Sequence, residues 1–108
     1  MSIGYKYNER LNIMYSINVS GYIPEQKAKE FKQQMKQLIG QHSPELVNLS
    51  VMQDMINEDL FQVKVQFKDK ESMLSFMNSE EYAIISGSFQ TLGLLREKNV
   101  IEYSDLED

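Results

Sequence analysis

The sequence contains no cysteine and no tryptophan, and one histidine, two prolines and five glycines in 108 residues. Without cysteine there is no disulfide framework, thiolate zinc site, iron–sulfur cluster or cysteine nucleophile. One histidine cannot build a histidine-rich metal site. No apolar run approaches the roughly 20 residues that a membrane-spanning helix needs. The segment Met1–Arg10 lacks the basic region followed by an apolar stretch that marks a secretory leader. A cytoplasmic protein with no membrane partner is the expectation. Cations are also scarce. Eleven Lys and Arg face sixteen Asp and Glu, for a net charge of -5. That argues against a nucleic-acid partner held by phosphate neutralisation.

What is present is an ordinary globular composition, 42% hydrophobic and 25% charged. The length suits one domain with a small core. Residues 1–10 read as a polar lead-in, 11–104 as the domain and 105–108 as an acidic tail. From Leu11 the apolar residues Leu11, Ile13, Tyr15, Ile17 and Val19 alternate with Asn12, Met14, Ser16, Asn18 and Ser20. A period of two predicts a strand, weakened by Gly21 and closed by Pro24. Ala28, Phe31, Met35, Leu38 and Ile39 then recur at helical spacing among Lys and Gln. Pro24 suits the helix start, and Gly40 with Ser43-Pro44 suits its end. Val47, Leu49 and Val51 predict a second strand, with all three on one face. Phe61, Val63, Val65 and Phe67 predict a third, joined to it through Asn57-Glu58-Asp59 as a hairpin. Met73, Leu74, Phe76 and Met77 mark another helix. A break at Ser79 and a restart continue it through Ala83, Ile84, Ile85, Phe89 and Leu92. Gly87 weakens the middle and Gly93 ends it. Val100, Ile101 and Tyr103 suggest a short last strand.

The order β-α-β-β-α-β predicts an α+β, ferredoxin-like two-layer sandwich, with helices covering one face of an antiparallel sheet. The second sheet face carries Met14, Ser16, Asn18, Ser50 and Met52, which are small or uncharged, although Lys64 and Lys68 interrupt it. Such a face suits partial cover by a second subunit better than full exposure to water.

The segment from Phe67 to Tyr82 joins an apolar strand end, a charged turn, a helix with Leu74 and Phe76, and then Ser79-Glu80-Glu81-Tyr82. It resembles the antibiotic-biosynthesis-monooxygenase-like branch of the dimeric α+β barrel superfamily, with a topology match from Leu11 to Tyr103. The resemblance implies a homodimer in which two four-stranded sheets close a barrel, with the helices outside. It also implies a small aromatic or apolar ligand, bound or oxidised without a cofactor. Members include quinone-forming monooxygenases, haem-degrading enzymes and isomerases. The pattern departs from the haem-degrading members, which use a His on the second helical region together with a Trp and an Asn. Residues 70–93 have no His here. The alternative is a non-catalytic ligand-binding or protein-interaction domain of the same fold.

Candidate residues fall into two groups. Phe31, Tyr82 and Phe89 could line a pocket between helices and sheet for an aromatic molecule. Asn12, Ser16 and Asn18 could offer hydrogen bonds on the barrel-facing side, which is the opposite face of the strand. No catalytic residue is assigned, and neither a metal nor another cofactor is expected. His42 lacks a partner for general-base work, and the serines lack a His partner for a hydrolase triad. Asp54, Glu58 and Asp59 cluster at the hairpin without the spacing of a Ca²⁺ loop. Lys27, Lys29, Lys32 and Lys36 give the first helix a basic side. Residues 1–40 hold six Lys and Arg against three acids, whereas residues 41–108 hold five against thirteen. That asymmetry could steer an anion or help two subunits meet.

Overall fold

The computed structural model describes residues 11–40 and 46–106. The lead-in 1–10 and His42 lie outside the described residues. The elements run β1 (Leu11–Tyr22), α1 (Glu25–Gly40), β2 (Leu46–Gln53), β3 (Leu60–Phe67), α2 (Lys70–Met77), α3 (Glu80–Leu92) and β4 (Leu94–Leu106). The four strands form one antiparallel sheet in the order β2-β3-β1-β4. The fold is α+β and ferredoxin-like, with the second helical region divided in two.

The alternating pattern of β3 is realised residue by residue. Phe61, Val63, Val65 and Phe67 are buried, and Gln62, Lys64 and Gln66 between them are half-buried on the other face. Register places Phe67, Val65, Val63 and Phe61 against Tyr15, Ile17, Val19 and Gly21 of β1. These residues are the sheet's contribution to the core. The helices add Phe31, Met35 and Leu38 from α1, Met73 and Phe76 from α2, and Ile85, Phe89 and Leu92 from α3.

Side chains start both later helices. Asp69 caps α2, its carboxylate accepting from the Ser72 amide at 2.7 Å. Ser79 caps α3, its hydroxyl accepting from the Tyr82 amide at 3.2 Å. Each cap satisfies an amide that has no partner within the helix. The break at Ser79 therefore separates two helices. α1 and α3 are joined by the Ser88 hydroxyl, which donates to Gln34 Oε1.

Two expectations need correction. β4 is not short: it spans 13 residues and pairs with β1 from Leu11 to Tyr22. Arg96, Glu97, Lys98 and Asn99 hide it from any reading by alternation, because an edge strand keeps charged side chains in water. β2 does not carry Val47, Leu49 and Val51 on one face. A register shift between Leu46 and Asn48 buries Leu46 and turns Val47 outward, 47% exposed. An irregularity of this kind swaps the faces of the residues before it. β1 runs on through Gly21 to Tyr22 and stops before Pro24, as expected.

Candidate functional site

The structure separates the residues of the sequence-predicted pocket. The Phe31 and Phe89 rings lie 4.9 Å apart, and Phe61 stands 5.1 Å from Phe31. Phe31 and Phe89 are both fully buried. These three rings fill the space between α1, α3 and the sheet. Tyr82 stands elsewhere, half-buried at the start of α3, with its ring edge-on to Phe76 at 6.1 Å.

Tyr82 has a different set of neighbours. Lys98 lies on β4 opposite Val19, so it shares the helix-covered side of the sheet. Its ammonium stands 5.4 Å from the centroid of the Tyr82 ring, within the range of a cation–π contact. Ser86 lies one helical turn beyond Tyr82 and therefore on the same side of α3. Its hydroxyl is buried and has no hydrogen-bond partner of normal geometry among the described residues. Burial raises the Tyr82 hydroxyl above its ordinary pKa of 10.0, and the nearby Ser86 side chain draws it back in part. The phenol is thus neutral near pH 7 and able to donate a hydrogen bond. Val100 and Glu102 continue this side of β4 and are exposed. Between α3 and β4 the fold brings together an aromatic ring, a cation and two hydroxyls. An aromatic molecule bearing an oxygen matches that set.

The uncovered sheet face is chemically distinct. Ser16 Oγ donates to Asn18 Oδ1 at 3.3 Å, so the structure brings these two candidates together. Asn18 stands between Lys64 of β3 and Asn99 of β4. Ser16 stands between Gln66 and Ile101 and is only 1% exposed, beneath longer neighbours on an open face. Asn12 is placed by its backbone, opposite Asp105. The face is polar along β1 and β3, but Met52 and Ile101 are exposed at its two edges.

The sequence offered Tyr82 but not its partners. Ser86 was legible at four residues from Tyr82, the spacing that stacks side chains on one helix face. Lys98 gave no local signal, because only strand pairing brings it beside α3. At the hairpin, the Asp54 carboxylate is engaged by the amides of Ile56 at 3.1 Å and Asn57 at 2.5 Å. Among the described residues no three His, Asp or Glu side chains converge as a metal-binding group.

Solved structures share this architecture. A conserved protein from Methanosarcina mazei superposes with a TM-score of 0.69 at 18% identity, covering 85% of this chain and 92% of its own. An antibiotic biosynthesis monooxygenase-like protein from Nitrosomonas europaea gives 0.68 at 14%, covering 86% and 90%. One from Deinococcus radiodurans gives 0.65 at 10%, covering 89% and 94%. The chain has the antibiotic biosynthesis monooxygenase-like fold. No protein-family profile matches the sequence, and no curated protein matches it. At these identities the likeness is one of fold, and function rests on the site. Among the described residues no helix is long and apolar enough to cross a membrane.

Proposed function

We propose that the protein is a homodimer, paired through its open sheet faces, that binds a small aromatic molecule carrying a phenolic or carbonyl oxygen between α3 and β4. The observation that carries the ligand reading is the half-buried Tyr82 phenol, set between the Lys98 ammonium and the Ser86 hydroxyl. Tyr82 would supply a wall and a hydrogen bond, and Lys98 would favour the anionic form of a phenol. Of the sequence-predicted set this site uses Tyr82 and leaves Phe31 and Phe89 to packing. In the dimer Ser16 and Asn18 would face the barrel interior, together with Asn12. Among the described residues no acid–base pair lies at Tyr82, so the reading is binding first, with cofactor-free oxidation as a separate question.

Calorimetric titration with 1-naphthol tests the site. Tyr82→Leu and Lys98→Met should weaken binding by roughly three- to tenfold each, in line with losing a hydrogen bond or a solvent-exposed cation–π contact, at nearly unchanged melting temperature. Absence of binding, or equal binding by all three proteins, refutes the assignment. An oxygen electrode run on 1,4-dihydroxynaphthalene separates an oxidase from a binding domain. Ile101→Lys places a charge on an exposed position of the open face. It should break that contact and halve the sedimenting mass if the faces pair.

A further inference from the structure

Two surface features remain outside the proposed site, and they are complementary. The first is the β2–β3 hairpin tip, Asp54-Met55-Ile56-Asn57-Glu58-Asp59. Met55 is 92% exposed and Ile56 95% exposed. The loop is ordered, not loose. Asp54 holds the amides of Ile56 and Asn57 through its carboxylate. The Asp54 amide donates to Leu60 O at 2.9 Å, the Leu60 amide to Asn57 O at 3.0 Å, and the Ile23 amide to Asp59 O at 2.7 Å. The chain therefore holds two large aliphatic side chains out in water on a hydrogen-bonded frame flanked by three carboxylates. An ordered apolar projection of this kind marks a contact site.

The second feature is a groove of about 750 Å³ between α1 and β2. Met35, Val51 and Phe61 line its floor, and Lys29, Lys32 and Lys36 line its rim. A single acid, Glu25, also lines it. The Lys32 ammonium stands 5.9 Å from the Phe61 ring centroid, over the floor. None of the three lysines has an ion pair with a carboxylate among the described residues. The groove is thus apolar and basic in a protein of net charge -5, and the hairpin tip is apolar and acidic.

We infer that the hairpin tip of one copy seats in the α1–β2 groove of a second copy, reciprocally, with Met55 and Ile56 on the floor and Glu58 and Asp59 against the rim lysines. Gln53 sets the geometry. It lines the groove, and its Nε2 donates to Glu58 O at 2.8 Å at the base of the tip. Donor and acceptor surfaces therefore adjoin, and a two-fold axis beside Gln53 lays each tip on the other's groove. Such a contact is isologous and closes at two copies. It uses the helix-covered side and the β2 edge, so it is independent of the sheet-face pairing proposed above.

Sedimentation equilibrium on the full chain tests it with charge exchange. One variant reverses the groove (Lys32→Glu, Lys36→Glu) and another reverses the tip (Glu58→Lys, Asp59→Lys). Each variant alone should associate more weakly than the wild type by roughly tenfold or more, the scale of truncating paired interfacial charges. An equimolar mixture should recover the wild-type mass, because each mixed contact again joins opposite charges. Met55→Ser with Ile56→Ser should behave like either reversal, and circular dichroism checks that all variants fold. Wild-type mass in each single variant overturns the inference, and so does failure of the mixture to recover. Ile101→Lys keeps the two contacts apart. If the sheet faces pair, wild type is a tetramer or a longer chain of copies and the charge variants are dimers. If they do not, wild type is a dimer and the charge variants are monomers.

Discussion

Gly21 lies directly beneath Phe89. A Cβ at position 21 would stand 2.7 Å from Phe89 Cδ1 and 2.5 Å from the Leu94 carbonyl oxygen. The glycine lets α3 press its ring onto β1 at the point where β4 begins. Gly21→Ala should therefore destabilise the protein by about 1–3 kcal/mol, the usual cost of overpacking. Urea unfolding measures it, and an unchanged midpoint would contradict the close approach.

Gly87 is the opposite case. It sits inside α3, and a Cβ there would meet nothing within 4 Å. Gly87→Ala removes backbone freedom from the unfolded chain without a clash. A gain of about 0.5–1 kcal/mol is expected, visible as a higher melting temperature. A loss would mean that the space beside Gly87 is occupied in solution.

Phe89 and Tyr82 belong to one helix but should respond differently to truncation. Phe89 is fully buried against Phe31, so Phe89→Ala should cost about 3–5 kcal/mol. Tyr82 is half-buried and touches Phe76 and Lys98, so Tyr82→Ala should cost clearly less. Denaturant titrations of the two variants give the comparison. Equal costs would make Tyr82 a packing residue and remove the reason to place a ligand there.

Asp69 links the α2 cap to pH. The Ser72 amide and then its side chain hydrogen-bond the carboxylate and hold its pKa below the ordinary 3.8. A pKa lowered by folding adds stability that is complete above 3.8 and lost as pH falls through the lower, folded value. Asp69→Asn keeps a good cap but cannot titrate. The wild-type advantage over this variant should therefore shrink as pH is lowered through and below the carboxylate range. Unfolding midpoints between pH 2 and 7 would show it, and a constant difference would sever the cap from the titration.

The stripes of β1, α1 and β3 and the division at Ser79 could be read directly, because each depends on periodicity or on a cap within a few residues. Strand alternation and helix spacing are local consequences of backbone geometry. The likeness to the monooxygenase-like fold could also be read, because the order of elements survives where residue identity does not. The composition fixed what the chain lacks, with no cysteine chemistry and no histidine cluster.

Tertiary structure decided the rest. Nothing near Val47 announces that a register shift turns it outward, since register depends on what β3 presents across the ladder. The length of β4 depends on β1, which pairs with it over its full extent and holds charged residues in a strand that their own pattern would not predict. Lys98 reaches Tyr82, and Gln53 joins the hairpin tip to the α1–β2 groove, only after strands far apart in sequence have paired. The sequence therefore set the elements and their apolar faces, which follow from local spacing. Which polar groups share a site was settled by long-range pairing, whose partners no local window contains.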